Sequence, residues 1–177
     1  MTGLVFVDAN ILVYARDPRD PVKQGKAREW IRFLWDTQRG RTSTQALSEF
    51  YDTVTRKFSP GVAREDAWEE VQSYLAWNPQ AIDLEVLERA HEAERRYRLA
   101  WWDCLIVAAA QVQGCVLLLS EDMQDGADYG GVILRSPFSL GVAEEASSYA
   151  PLPKIAVRHR GRGRPRRTTP QASGASG

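Results

Sequence analysis

The chain of 177 residues reads as an α/β protein with a mainly parallel central sheet. Three observations predict this. Leu4–Val7, Cys115–Leu119 and Val132–Leu134 are short, fully apolar runs of the kind buried on both faces of a parallel sheet. Segments with apolar residues at helical spacing lie between them. Helix start and stop signals punctuate those segments at the expected places.

The elements follow in order. After the strand 4–7, residues 9–15 predict one or two helical turns. Asp20-Pro21 places a capping acid before a proline at the first helical position. Ala27, Trp30, Ile31, Leu34 and Trp35 then recur on one face, and Gly40 is read as the stop. A short β segment is expected over 41–44. A helix is expected over 45–58, with Ala46, Leu47, Phe50, Val54 and Phe58 on one face, until Ser59-Pro60-Gly61 breaks it. Another amphipathic helix spans 63–77 and ends at Asn78-Pro79, and Ala81-Ile82 is a short strand candidate. Asp83 caps a helix running to about Arg98. An alanine-rich helix covers 102–113, with Gly114 just past its end, and its small residues permit close packing on a sheet. The folded unit is expected over 1–150, followed by a disordered Arg/Gly/Pro-rich tail over 151–177.

Composition sets bounds on function. A hydrophobic fraction of 44% and a charged fraction of 26% suit one soluble domain with a sizeable core. The N-terminus lacks the pattern of a signal peptide. The most apolar stretch, 99–120, is interrupted by Asp103, Gln111, Gln113 and Gly114, so a helix and a strand are expected rather than a membrane span. Cys104 and Cys115 lie in apolar runs and are expected as buried, reduced thiols, with the cytoplasm as the location. The net charge of zero hides an asymmetry. Residues before Lys154 carry sixteen bases against 23 acids, a net of −7, and the remainder carries seven bases and no acid. A basic tail on an acidic body predicts contact with a polyanion.

Four acids stand at the ends of apolar segments: Asp8, Glu49, Asp103 and Asp122. Sites in open parallel sheets form outside the carboxyl ends of strands. Asp8 and Asp122 follow strands directly. Asp103 begins a helix whose far end feeds the strand before Asp122, so it faces the same edge and gains from the helix dipole. Glu49 lies in the first turns of its own helix. An oxygen-only set of this kind suits Mg²⁺ or Mn²⁺ and phosphodiester chemistry with an activated water. Zinc hydrolysis is disfavoured, since His91 and His159 are the only histidines. A haloacid-dehalogenase-type phosphatase also opens with an acid after a first strand, but it wants a second Asp where this chain has Asn10.

These residues resemble a known family. Phe6-Val7-Asp8-Ala9-Asn10-Ile11-Leu12, Thr44-Gln45-Ala46-Leu47-Ser48-Glu49-Phe50, Trp102-Asp103-Cys104-Leu105-Ile106-Val107-Ala108-Ala109-Ala110 and Leu119-Ser120-Glu121-Asp122-Met123 resemble, in order, the four motifs of PIN-domain nucleases. Order, spacing and length are similar to a VapC-type toxin of a bacterial toxin–antitoxin pair, over roughly residues 4–138. The resemblance implies a PIN-like three-layer sandwich and a Mg²⁺-dependent endoribonuclease, with Mn²⁺ as the alternative ion. It also implies an RNA substrate, a cognate antitoxin and a homodimer. Asp8, Glu49, Asp103 and Asp122 would be the catalytic acids, with Asp8, Asp103 and Asp122 on the metal, and Asn10 and Ser120 would support them.

Structural roles compete with each functional reading. Asp8 could simply cap the next helix, Asp103 could serve the helix dipole, and Glu49 could be a solvated surface acid. Asp125, in the turn dipeptide Asp125-Gly126, rivals Asp122. Glu121 is expected to face solvent, and His91 to lie on a helix surface. Trp101 and Trp102 are expected to pack in the core beside the site rather than stack on bases. Trp30, Trp35, Trp68 and Trp77 are expected in the core or at a dimer surface. The tail, with Arg162, Arg164, Arg166 and Arg167, contains an Arg-Gly-Arg-Pro that resembles an AT-hook. It is read either as a solvated tail or as a contact to DNA or RNA. A non-catalytic nucleic-acid-binding module acting through that tail, and a nuclease acting on DNA, are the alternatives to a ribonuclease.

Overall fold

The apolar run Leu4–Val7 forms β1, an interior strand of the sheet. The computed structural model describes residues 3–147; the tail expected over 151–177, with Arg162, Arg164, Arg166 and Arg167, lies outside the described residues. After β1 come α1 (Ala9–Arg16), α2 (Pro21–Thr37), β2 (Gly40–Arg41), α3 (Thr44–Asp52), α4 (Arg64–Ser73), α5 (Leu84–Tyr97), α6 (Trp101–Val112), β3 (Cys115–Leu119), β4 (Asp128–Tyr129), β5 (Val132–Arg135) and α7 (Val142–Ser147). The strands lie in the order β2-β1-β3-β5-β4, and all neighbouring pairs are parallel except β4 with β5.

Side chains alternate across a strand, so each central strand feeds two cores. Phe6 and Leu118 enter one core with Ala90, Ala93, Cys104, Ala108 and Leu134, beneath α5 and α6. Val5, Val7, Leu117 and Leu119 enter the other with Ile11, Trp30, Leu34, Phe50 and Trp77, beneath α1 to α4. The result is the expected three-layer α/β sandwich. Parallel pairing aligns Val7 with Leu119, and the Asp8 N–H donates to the Leu119 carbonyl at 3.1 Å. The chain positions that follow β1 and β3 therefore leave the sheet side by side.

The helix ends follow the sequence signals. Asp20 accepts from the Lys23 N–H at 3.0 Å, Ser43 from the Ala46 N–H at 3.1 Å, and Asp83 from the Val86 N–H at 3.0 Å. Each such cap contributes about 1 kcal/mol. Cys104 and Cys115 are free and buried, and burial pushes their thiols up to about 11 and about 12. His91 is exposed beside Glu94. No helix among the described residues is long and apolar enough to cross a membrane.

Several elements differ from the sequence reading. Gly40 does not stop α2. Gln38 does so, in the left-handed conformation at φ 55°, with its N–H on the Leu34 and Trp35 carbonyls. Gly40 is instead the first residue of β2, where a Cβ would stand 2.4 Å from the Trp77 indole. The helix expected over 45–58 is α3 plus one π turn, Thr53–Lys57; the Val54 carbonyl there accepts from the returning Val62 N–H. The helix expected over 63–77 tightens into a 3₁₀ turn at Tyr74–Trp77. Three residues per turn bring Tyr74 and Trp77 into line, and both are buried. Ala81-Ile82 is not a strand; the neighbouring Gln80 bridges to Ser43 instead. Trp30 and Trp77 are core residues as expected, while Trp35 and Trp68 lie at the surface.

Candidate active site at the carboxyl edge of the sheet

Asp8 occupies the residue between β1 and α1 and caps that helix, with Oδ1 accepting from the Ala9 N–H at 2.7 Å. Its other oxygen accepts from the Ser120 hydroxyl at 2.8 Å. Ser120 follows β3 directly and is fully buried. The Asn10 amide, on the first turn of α1, spans the gap. It donates to Asp122 Oδ2 at 2.8 Å and to Ser120 Oγ at 3.1 Å, and it lies 3.4 Å from Asp8 Oδ2. Parallel pairing of β1 with β3 thus joins Asp8, Asn10, Ser120 and Asp122 in one network.

Glu49 and Asp103 approach from the two flanking helices. The buried Gln45, one turn before Glu49 on α3, donates to Glu49 Oε1 at 2.9 Å and to the Trp102 carbonyl at 3.2 Å. That one side chain ties α3 to the first turn of α6, where Asp103 lies. Sequence reasoning passed over Gln45, although its position four residues before Glu49 on one helix face was a usable signal.

The charges of the four acids act on one another. Asp8 is only 7% exposed, and its carboxyl is raised to about 7. Burial is the largest cause; the hydrogen bonds from Ser120 and Ala9 oppose it, and the Glu49 and Asp122 charges add to it. Asp103 is also raised, first by burial and then by the Asp122 and Glu49 charges. Every charge acting on these two carboxylates is therefore negative. Among the described residues, no three acidic, histidine or cysteine side chains already stand as a set of metal ligands. Asn10 occupies the space between Asp8 and Asp122 instead, and its own Oδ1 is buried with no hydrogen-bond partner. The donor chemistry fits a hard divalent cation. All donors are oxygens, the Glu49 and Asp122 charges act on both Asp8 and Asp103, and an orphaned amide oxygen adjoins them.

Three neighbours depart from expectation or clarify it. Glu121, expected to face solvent, is only partly exposed and pairs with Lys23 of α2, whose ammonium also meets the Tyr14 hydroxyl at 3.3 Å. Burial works to raise Glu121, but the hydrogen bonds from Lys23 and Tyr14 outweigh it and hold the carboxyl below its ordinary range. Asp125 is not part of the acidic network. It accepts from Ser136 N at 2.8 Å, Arg135 Nε at 3.1 Å and Ser139 Oγ at 3.0 Å, and so tethers the chain after β5. Trp101 packs on the core as expected, but Trp102 is 63% exposed.

A mainly parallel sheet with helices on both faces defines a three-layer α/β protein. The chain belongs to the PIN domain family, whose model matches residues 5–124. Solved structures share the fold. One is a toxin–antitoxin complex from Klebsiella pneumoniae, with TM-score 0.55, 18% identity, and coverage of 75% of this chain and 97% of that one. Another is Mycobacterium tuberculosis VapC20, described as a sarcin-ricin loop cleaving toxin, with TM-score 0.52, 19% identity, and coverage of 67% and 89%. A third is VapBC2 from Rickettsia felis bound to a DNA fragment from its promoter, with TM-score 0.52, 14% identity, and coverage of 75% and 98%. Comparison with curated proteins gave no significant match.

Proposed function

We propose that this protein is a divalent-cation-dependent endoribonuclease, the toxin of a VapBC-type toxin–antitoxin pair. The observation that carries the reading is the hydrogen-bonded network of Asp8, Asn10, Ser120 and Asp122 at the ends of β1 and β3, with the Glu49 and Asp122 charges acting on both Asp8 and Asp103. Membership of the PIN domain family and the shared fold of toxin structures support it.

Asp8, Asp103 and Asp122 would hold Mg²⁺ or Mn²⁺. The ion supplies charge neutralisation and Lewis-acid activation for phosphodiester hydrolysis. Glu49, fixed by Gln45, positions the attacking water and accepts its proton. Asn10 and Ser120 keep the Asp8 and Asp122 carboxylates oriented. The folded unit is acidic at its site, so it admits RNA phosphate only with the cation present. Two of the structures sharing the fold are a toxin–antitoxin complex and a VapBC pair, which supports a cognate antitoxin as partner.

The test is incubation of RNA and DNA substrates with the full chain in Mg²⁺, then in EDTA. Cleavage of RNA only with Mg²⁺ is expected. Cleavage in EDTA, or preference for DNA, contradicts the proposal. Co-expression with the protein encoded by the adjacent open reading frame should abolish the cleavage if that frame encodes the antitoxin.

A further inference from the structure

We infer that the Trp102 indole is a stacking platform for an unpaired base of the RNA, next to the phosphate that is cut. The inference rests on the ribonuclease reading above and adds a substrate-recognition residue to it.

The six tryptophans make the argument by contrast. Trp30 is buried against Phe33, and Trp77 is buried against Tyr74. Trp35 leans on Tyr74 and Trp77, and Trp68 meets Tyr51 edge-on. Trp101 packs against the core beneath α5 and α6. Trp102 alone among them, within the described residues, is mostly exposed without an aromatic partner. Residues 104–110 of α6 are all buried, and Trp102 lies at the N-terminal end of the helix, where it emerges from the core. Exposing a large indole there forfeits the stabilisation that burial would bring.

Its placement matches the chemistry. Trp102 immediately precedes Asp103 in the first turn of α6. Its carbonyl is held by Gln45, which also holds Glu49. The indole is therefore presented on a backbone fixed to two acids of the site. The acids need a phosphate brought close but, being negative, cannot attract the RNA themselves. Every base has a π face, so stacking on an indole binds single-stranded RNA without charge and without strict sequence demand.

The experiment compares the full-length wild type, Trp102→Ala and Trp102→Phe on a single-stranded RNA in Mg²⁺, and on the same RNA with an abasic site beside the cut. Trp102→Ala should raise KM roughly tenfold with kcat changed little, and Trp102→Phe should recover most of the loss. On the abasic RNA the three proteins should share one KM, a result that a merely structural role for the ring would not give. Equal KM for wild type and Trp102→Ala on intact RNA overturns the inference. So does a change in association state, by light scattering, that accounts for the KM shift, because the ring would then face a second copy. Absence of RNA cleavage by the wild type refutes the ribonuclease reading instead, so the two failures are distinct.

Discussion

The Asn10 amide donates to Asp122 Oδ2 at 2.8 Å across 112 positions of sequence, and so bridges the ends of β1 and β3. The same nitrogen reaches Ser120 Oγ, whose hydroxyl donates to Asp8. One neutral side chain thereby spaces two acids that would otherwise repel. Asn10→Ala should leave the fold intact and raise the Mg²⁺ concentration for half-maximal RNA cleavage by roughly 10–100-fold, as loss of an orienting partner does in metal sites. Cleavage measured against Mg²⁺ concentration, with circular dichroism as the folding control, checks this. An unchanged midpoint means that Asn10 is not a support of the site.

Gln45 is the corresponding tie between α3 and α6. Gln45→Ala releases Glu49 and leaves the Trp102 carbonyl without that donor. Loss of the two hydrogen bonds should lower stability by about 1–3 kcal/mol and kcat by roughly tenfold or more. Chemical denaturation and single-turnover cleavage separate the two effects. A stability loss with no fall in kcat assigns Gln45 to the fold alone.

Asp8 predicts a pH dependence. Its carboxyl lies at about 7 in the folded chain against an ordinary 3.8. Between those values the unfolded chain has lost the proton that the folded chain still holds. Stability should therefore fall as pH rises from about 4 to about 7, and then level off. The cation-free protein should melt at a higher temperature at pH 5 than at pH 8, and Asp8→Asn should flatten this difference. Adding Mg²⁺ at pH 8 should raise the melting temperature, because the ion binds the folded, ionised site. A thermal scan in which stability rises across this window contradicts the assignment.

Much of the architecture was legible because it depends on local pattern. The apolar runs announced β1, β3 and β5, and Asp20 and Asp83 cap helices as their residue types suggest. β4 was missed although Tyr129-Gly130-Gly131-Val132 carries a hairpin signal, since two residues are too few to show alternation. Gly40 was misread because a glycine after a helix usually caps it, whereas here the nearby Trp77 ring leaves no room for a Cβ. Asp8 and Asp122 stand just past the apolar runs of β1 and β3, so the sequence places them at one sheet edge, where Asn10 and Ser120 join them by hydrogen bonds. The Lys23–Glu121 pair was not, because it joins residues 98 positions apart on elements whose packing no local pattern encodes.

That pair yields a further expectation. Lys23 holds Glu121, the residue before Asp122, against α2, with its ammonium 4.6 Å from the centre of the Tyr14 ring. Lys23→Met keeps the stem and removes the charge. Partly exposed pairs contribute little, so the stability loss should stay below about 1 kcal/mol. The loop carrying Asp122 should loosen, so kcat should drop severalfold while KM holds. Cleavage kinetics compared with denaturant midpoints decide this; equal kinetics leave Lys23 a surface contact.

Gly40→Ala tests the packing of β2. The added Cβ meets a buried indole rather than a flexible chain end, so a loss of about 1–3 kcal/mol is expected by urea denaturation.

The central claim is that the acids at the carboxyl edge form one cation site that cuts RNA. Single-turnover cleavage of one RNA by wild type, Asp8→Asn and Asp103→Asn, measured across Mg²⁺ concentrations, tests it most directly. A Mg²⁺-dependent rate is expected for the wild type, and losses of at least roughly a hundredfold in both variants, with folding retained. Wild-type rates in either folded variant, or a rate indifferent to Mg²⁺, would contradict it.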